Sequence, residues 1–170
     1  QRQMCIRDSL SENPLALRRL VNLVSRSEPI TQKLLGSPEL LDELLFPERL
    51  LSIPSKDEIR ALLNSTLEHV DTDDLESAMQ LLRRFKGAIV FRVACSELEG
   101  AISLMKVSDN LSFLAEVIVE RAVTIAYDQL VEKYGEPSGD AGFCVMAYGK
   151  LGGLELSYAV SYTHLTLPTT

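Results

Sequence analysis

Apolar residues recur at helical spacing along most of this chain. Near the start, Leu17, Leu20, Val21 and Val24 follow one another at intervals of three, one and three residues, which places them on one face of a helix. Similar runs continue to about residue 134. Residues that favour a helix start precede them at six places: Asn13, Ser27, Ser37, Ser55, the acidic run 71–74 and Ser108. The spacing therefore predicts a helical region over residues 10–135.

Local signals refine several of these helices. Ser55 and Glu58 have the spacing of a capping box, in which serine caps the helix and glutamate returns a bond three residues later. The helix that follows is predicted to run to about Val70. The longest helix is predicted to start at Ser108 and to end at Gly135, which is predicted to be its C-cap.

The pattern changes after Gly135. Residues 136–142 are rich in turn formers, and residues 143–148 (Phe-Cys-Val-Met-Ala-Tyr) form a continuous apolar run of strand length. Such a run is typical of a strand buried on both faces. The glycine-rich loop 149–153 follows it.

Composition excludes some classes of protein. The chain has 17 Lys and Arg against 24 Asp and Glu, a net charge of -7, whereas nucleic-acid binding needs a basic surface, so no nucleic-acid partner is expected. The longest apolar stretch, 85–105, is broken by four charged residues, so no membrane span is expected. Cys95 and Cys144 lie in apolar runs and are interpreted as reduced core thiols of a cytoplasmic protein.

Both ends of the chain match a translated sequencing adaptor. Residues 2–9 correspond to one strand of a transposase adaptor, and residues 160–169 correspond to the other. Sequences of this kind are set aside before the fold is considered. Residues 1–9 and 160–170 are therefore expected to lie outside the fold.

The loop 149–153 is the one element that suggests a reaction. Gly149, Gly152 and Gly153 would let backbone N–H groups approach phosphate oxygens, and Lys150 would add a positive charge. The spacing fits neither a Walker A loop nor the dinucleotide fingerprint. On the spacing alone, phosphate binding and a tight turn that closes a strand both stay open, and the tight turn is favoured.

Other polar groups have simpler interpretations. His69 is interpreted as a charge partner at a helix end, and the acids of residues 71–74 as an N-terminal cap rather than a metal site. Arg83, Arg84 and Lys86 are interpreted as a solvated helix face.

Residues 147–158 resemble the GYGKLGGxEL(G/S)Y motif of glutamine synthetase adenylyltransferase, with Ala147 in place of the first glycine. Four upstream segments resemble the same family in the same order: residues 13–20, 38–45, 82–86 and 105–109. Tyr148 and these segments point to the C-terminal, adenylylating half of that enzyme.

The resemblance implies a mainly α protein: a helical bundle followed by the first strand and loop of a truncated α/β nucleotidyltransferase domain. Residues 136–159 would form the start of that domain. It implies transfer of AMP from ATP to a tyrosine of glutamine synthetase. Mg²⁺ and ATP are the implied cofactors, and glutamine synthetase and the PII signal protein the implied partners. Gly149, Lys150, Gly152 and Gly153 are the implied nucleotide-binding residues.

The family motif continues with paired aspartates that hold magnesium. Two carboxylates one residue apart on a strand face the same side and can share a metal ion. Their expected positions here are Ser161 and Thr163. No catalytic or metal-binding residue is therefore assigned, and the chain as written is expected to be inactive. A non-catalytic helical interaction segment and the adenylyl-removing half stay open as alternatives.

Overall fold

The computed structural model describes residues 13–46, 50–68, 74–137 and 143–158. Helices dominate these residues, as expected. The elements are, in chain order, α1 (Pro14–Arg26), α2 (Glu28–Gly36), a 3-10 turn (Pro38–Leu40), α3 (Leu41–Leu44), α4 (Lys56–Leu67), α5 (Leu75–Leu98), α6 (Leu104–Tyr134) and α7 (Gly149–Gly152).

Several predicted helix ends are confirmed in atomic detail. The Asn13 side chain accepts a hydrogen bond from the Ala16 amide at 3.1 Å, and Ser55 forms the complete capping box with Glu58 at the start of α4. The helix α6 ends at Gly135, whose φ of 80° is a left-handed value that favours glycine. Local chemistry therefore sets these boundaries.

The start of the longest helix differs from the prediction. The helix α6 begins at Leu104, with Ser103 at its N-cap, rather than at Ser108. The additional turn carries Val107, which is buried, so tertiary packing stabilises a turn that the capping pattern does not mark. Residues 69–73 and both adaptor-like ends lie outside the described residues.

The apolar residues of α1 do not all face the core. Ala16 and Leu23 are buried, whereas Leu17, Val21 and Val24 are exposed. The two buried residues are seven apart and so lie on the same face of the helix. The apolar spacing predicts the helix correctly, but it does not identify the side that packs against the core.

The larger hydrophobic cluster lies where α4, α5 and α6 meet, and α5 and α6 make the most extensive helix contact. Its helical members share near-complete burial: Ile59, Leu63, Leu67, Ala78, Leu82, Ile89, Val93, Val107, Leu111, Leu114, Ala115, Val117 and Ile125. Apolar burial on this scale is the main stabilising contribution to such a bundle.

A second cluster lies on the other side of α5. Phe91 and Cys95 of α5 pack there against buried residues of α1, α2 and α3. Arg92 forms an ion pair with Glu43 at 2.7 Å, and both side chains are mostly buried. Because two clusters share it, α5 is the central helix of the described structure.

The predicted buried strand is not observed. Residues 143–148 have no regular secondary structure, and Phe143, Val145, Met146 and Tyr148 are more than half exposed. A strand needs a neighbouring strand to accept its hydrogen bonds. The described residues contain no such neighbour, which explains why the apolar run stays unpaired.

None of the helices in the described part of the chain combines the length and the apolar character that crossing a membrane requires.

Candidate functional site

The four predicted phosphate-binding residues lie together on one exposed turn. Gly149, Lys150 and Gly152 belong to the short helix α7, and Gly153 follows it directly. All four are solvent-exposed. Gly149 has a φ of 59°, a left-handed value that L-residues other than glycine rarely adopt. The turn therefore depends on glycine at its first position.

Gly152 is required for a second, steric reason. A Cβ atom at this position would lie 2.5 Å from the carbonyl oxygen of Ala147, which is backbone and cannot move aside easily. A Cβ at Gly153 would meet its nearest atom, the carbonyl oxygen of Gly149, at 3.4 Å, an ordinary contact. Gly149 and Gly152, rather than Gly153, thus determine the path of the turn.

The backbone amides of the turn divide into two groups. The amide of Gly152 donates to the carbonyl of Tyr148 at 3.4 Å, and that of Gly153 donates to the carbonyl of Gly149 at 2.9 Å. Within the described residues, the amides of Gly149, Lys150 and Leu151 have no acceptor. The glycine spacing does not predict that the amides of Lys150 and Leu151 belong to this group.

The turn ends in a Schellman arrangement. The amide of Leu154 donates to the carbonyl of Leu151 at 3.2 Å, and the amide of Glu155 donates to the carbonyl of Lys150 at 2.7 Å. Leu154 occupies the left-handed position with a φ of 56°. Glycine is the usual residue at this position, so leucine adds local strain.

Three contacts hold the segment 143–158 against the bundle. Leu156 is buried in the larger cluster, and Leu151 packs against its edge. The hydroxyl of Tyr158 donates to Oε2 of Glu97 on α5 at 2.7 Å. Partial burial, together with the adjacent Glu97 carboxylate, raises the pKa of Tyr158 far above its usual value.

A cavity of about 300 Å³ adjoins the end of this segment. Ser157 and Tyr158 line it, together with residues of α2, α5 and α6. Its basic residues are Lys33, Arg83 and Lys86. The sequence predicts a solvated helix face for Arg83 and Lys86 and gives no signal for Lys33. The packing of α2 against the bundle brings Lys33 to the same cavity as these two residues.

The neighbouring Arg84 lies elsewhere. It lines a different cavity, near α3, which also has acidic residues in its wall. Consecutive residues on a helix point about 100° apart, so Arg83 and Arg84 reach different surfaces. Of the three basic residues that the sequence groups together, only two share a site.

The two apolar-run cysteines have different environments. Cys95 is fully buried, and burial, followed by the nearby Glu99 and Glu43 carboxylates, raises its pKa to about 12. Cys144 is exposed, so the expectation that both are core thiols is wrong for Cys144. Cys144 belongs to the apolar run that lacks a strand partner, which accounts for its exposure.

His69, Asp71 and Asp73 lie outside the described residues. Asp74 is confirmed as a helix cap, because its carboxylate accepts from the amides of Glu76 and Ser77. The described part of the chain contains no group of three or more His, Cys, Asp or Glu side chains that could hold a metal ion.

The family model described as "Glutamate-ammonia ligase adenylyltransferase" matches residues 17–161. The chain belongs to this family.

Curated relatives agree with the family model. A protein of Hahella chejuensis, named bifunctional glutamine synthetase adenylyltransferase/adenylyl-removing enzyme, is 44% identical over 155 residues. Relatives with the same name from Pseudomonas putida and Vibrio parahaemolyticus are 44% and 43% identical. Each match covers 88% of this chain and 16% of the relative. The chain thus spans about one sixth of the length of these relatives.

Proposed function

We propose that this chain is part of an enzyme that transfers AMP from ATP to a tyrosine hydroxyl of glutamine synthetase, with release of pyrophosphate. Two facts support the proposal: membership of the adenylyltransferase family and the motif at 147–158. In this proposal the segment 136–159 begins a nucleotidyltransferase domain, and the helices before it support that domain. The enzyme is cytoplasmic, and the PII signal protein is its regulatory partner.

The observation that carries the proposal is the geometry of the turn. Gly149 and Gly152 give a path that other residues would distort. The path leaves the amides of Gly149, Lys150 and Leu151 without an acceptor among the described residues. Unpaired, exposed amides beside a lysine suit the oxygens of a phosphate group. Gly149, Lys150, Gly152 and Gly153 are therefore proposed to form the part of the site that meets the ATP phosphates, with Gly149 and Gly152 shaping the turn.

Magnesium would neutralise charge on the phosphoryl group during transfer. The described residues provide no ligand set for it, so no step through the metal is derived from them. The family's aspartates would fall at Ser161 and Thr163, outside the described residues. We therefore propose that the 170-residue chain alone does not transfer AMP.

A chimera provides the test. The segment of the Hahella chejuensis relative that matches this chain is replaced by residues 17–158, and AMP transfer from labelled ATP to glutamine synthetase is measured. We expect the chimera to be active and Gly152→Ala to lower its rate at least tenfold, because the new Cβ meets the Ala147 carbonyl. Gly153→Ala, the matched control, should change the rate less than threefold.

Other results would select other functions. Equal and mild losses from Gly152→Ala and Gly153→Ala would mean that the turn has no role in phosphate binding. Loss of adenylyl removal with unchanged transfer would assign the segment to the adenylyl-removing half. The unmodified 170-residue chain is assayed in parallel, and metal-dependent transfer by it would contradict its proposed inactivity.

A specific observation favours a second candidate function, a helical interaction segment. Leu17, Val21 and Val24 expose apolar side chains along one face of α1. Exposed apolar groups that lie close together are typical of contact surfaces. Replacing these three residues with glutamine in the chimera should weaken the binding of glutamine synthetase, seen as a higher KM at unchanged kcat, if α1 contacts the protein substrate.

A further inference from the structure

We propose that the cavity lined by Lys33, Arg83 and Ser157 binds a small organic phosphate of about mononucleotide size. The site is separate from the turn 149–153, since no residue of that turn lines the cavity. It does not depend on the proposed transfer reaction. The volume, about 300 Å³, lies at the lower end of the range of small-molecule pockets.

The cavity has a basic lining although the chain is acidic. The chain has seven more acidic than basic residues, yet the charged residues described around this cavity are Lys33, Arg83 and Lys86, without a carboxylate. Within the described residues, Lys33 and Arg83 form no ion pair. Because like charges repel, the pair Lys33 and Arg83 is stabilised by a bound anion.

The kinds of cation indicate which anion is preferred. A guanidinium presents paired N–H donors that match two phosphate oxygens, and an ammonium adds a point charge. Arg83 supplies the first group and Lys33 the second. The hydroxyl of Ser157, which also lines the cavity, adds a neutral donor. This combination suits a phosphate group better than a single carboxylate, which has fewer acceptor oxygens.

The shape of the cavity indicates that the ligand extends beyond the phosphate. Val90 of α5 and Leu111, Leu114 and Ile118 of α6 line the cavity as well. A cavity with a cationic part and an apolar wall fits a ligand that has a charged end and a ring or other apolar part. Inorganic phosphate alone would leave the apolar wall uncovered.

Gly87 is the second, independent observation. It lies inside α5 and lines the cavity, and a Cβ at this position would meet nothing within 4 Å. Glycine inside a helix is less stable than alanine by roughly 0.5–1 kcal/mol. Packing does not require this glycine, and its missing side chain leaves the cavity open.

Direct binding to the 170-residue chain tests the proposal by calorimetric titration with three probes: AMP, adenosine and inorganic phosphate. We expect AMP to bind at least tenfold more tightly than either of the others, because only AMP supplies both a phosphate and a ring. Binding should also weaken as the salt concentration rises. Equal binding of adenosine and AMP would overturn the proposal, and so would the absence of AMP binding at millimolar concentrations.

Matched variants locate the site. Arg83→Gln should weaken AMP binding at least tenfold, whereas Arg84→Gln, one residue along the same helix, should change it less than twofold. Gly87→Leu should also weaken it at least tenfold by filling the cavity while α5 stays folded, as checked by far-ultraviolet circular dichroism. Equal effects of Arg83→Gln and Arg84→Gln would overturn the proposal. Sensitivity to Gly152→Ala but not to Arg83→Gln would place AMP at the turn and overturn it too.

Discussion

The helices described between residues 13 and 137 differ from the segment 143–158 in how their backbone amide and carbonyl groups form hydrogen bonds. Each long helix forms its hydrogen bonds within itself, and its apolar side chains need only a surface to pack against. The segment contains an equally apolar run, yet Phe143 and Met146 remain mostly exposed. The difference shows that apolar content alone does not place a segment in the core.

Contacts with the bundle, above all those of Leu156 and Tyr158, explain why the segment is held at all. Leu156 inserts into the larger cluster, and Tyr158 bonds to Glu97. The turn 149–153 lies between the exposed run 143–148 and these contacts. Its glycines therefore lie where the chain passes from exposed to packed residues. Local backbone geometry, rather than burial, determines the shape of the candidate site.

The largest expected effect contrasts two phenylalanines. Phe91→Ala removes a ring that is 0% exposed and should lower the free energy of unfolding by about 3–5 kcal/mol. Phe143→Ala removes a ring that is 68% exposed and should change it by less than about 0.5 kcal/mol. Urea unfolding followed by circular dichroism measures both variants. Similar losses would mean that residues 143–148 are packed in solution.

Leu156→Ala tests the attachment of the segment. This side chain is 4% exposed, and its removal should lower the free energy of unfolding by about 2 kcal/mol, the lower limit for buried leucine. Hydrogen exchange should rise at Glu155 and Leu156 but not within α4. Met146→Ala, at 71% exposure, is the control and should change neither quantity. An unchanged free energy of unfolding and unchanged hydrogen exchange in Leu156→Ala would mean that this side chain does not hold the segment against the bundle.

The sequence predicts the helices better than it predicts their surroundings. The caps at Asn13, Ser55 and Asp74 are local features, and the structure confirms each of them. The start of α6 depends on the burial of Val107, and the inner face of α1 depends on the positions of the neighbouring helices. Neither can be obtained from spacing alone.

The candidate sites also combine features that the local sequence predicts with features that depend on packing. Glycine content predicts a tight turn at 149–153, and the structure adds that Gly149 and Gly152 are the positions that need glycine. The spacing of Arg83, Gly87 and Val90 by four, three and seven residues is consistent with one helix face. No sequence signal connects Lys33 with that face, because the two lie fifty residues apart and meet only through packing.

Cys95 makes stability depend on pH. Its pKa is raised to about 12 in the folded protein, whereas an unfolded thiol has a pKa of about 8.5. The raised value means that the stabilising contribution is fully present below pH 8.5 and is lost as the pH rises toward 12. Between pH 8.5 and 10, the free energy of unfolding should fall by about 1–2 kcal/mol.

The matched variant for this prediction is Cys95→Ala, which should lose most of the pH dependence in that interval. The pKa of Tyr158 is raised as well, but unfolded tyrosine ionises only near pH 10. The interval from pH 8.5 to 10 therefore isolates the thiol. An equal slope in the wild type and in Cys95→Ala would show that Cys95 is accessible to water in the folded state.

The smallest expected effect concerns one leucine in each region. Leu154 has a φ of 56°, a conformation that costs a non-glycine residue about 1–2 kcal/mol. Leu154→Gly removes this strain but gives the unfolded chain more freedom, so we expect a net local gain of about 0.5 kcal/mol. Hydrogen exchange at Glu155, whose amide bonds to Lys150, should slow about twofold. Leu130→Gly, in the exposed last part of α6, should instead lower the free energy of unfolding by up to about 1 kcal/mol. The same substitution thus has opposite signs, because the helix favours leucine at Leu130 whereas the turn favours glycine at Leu154. Destabilisation by Leu154→Gly would mean that the contacts of its side chain outweigh the backbone strain.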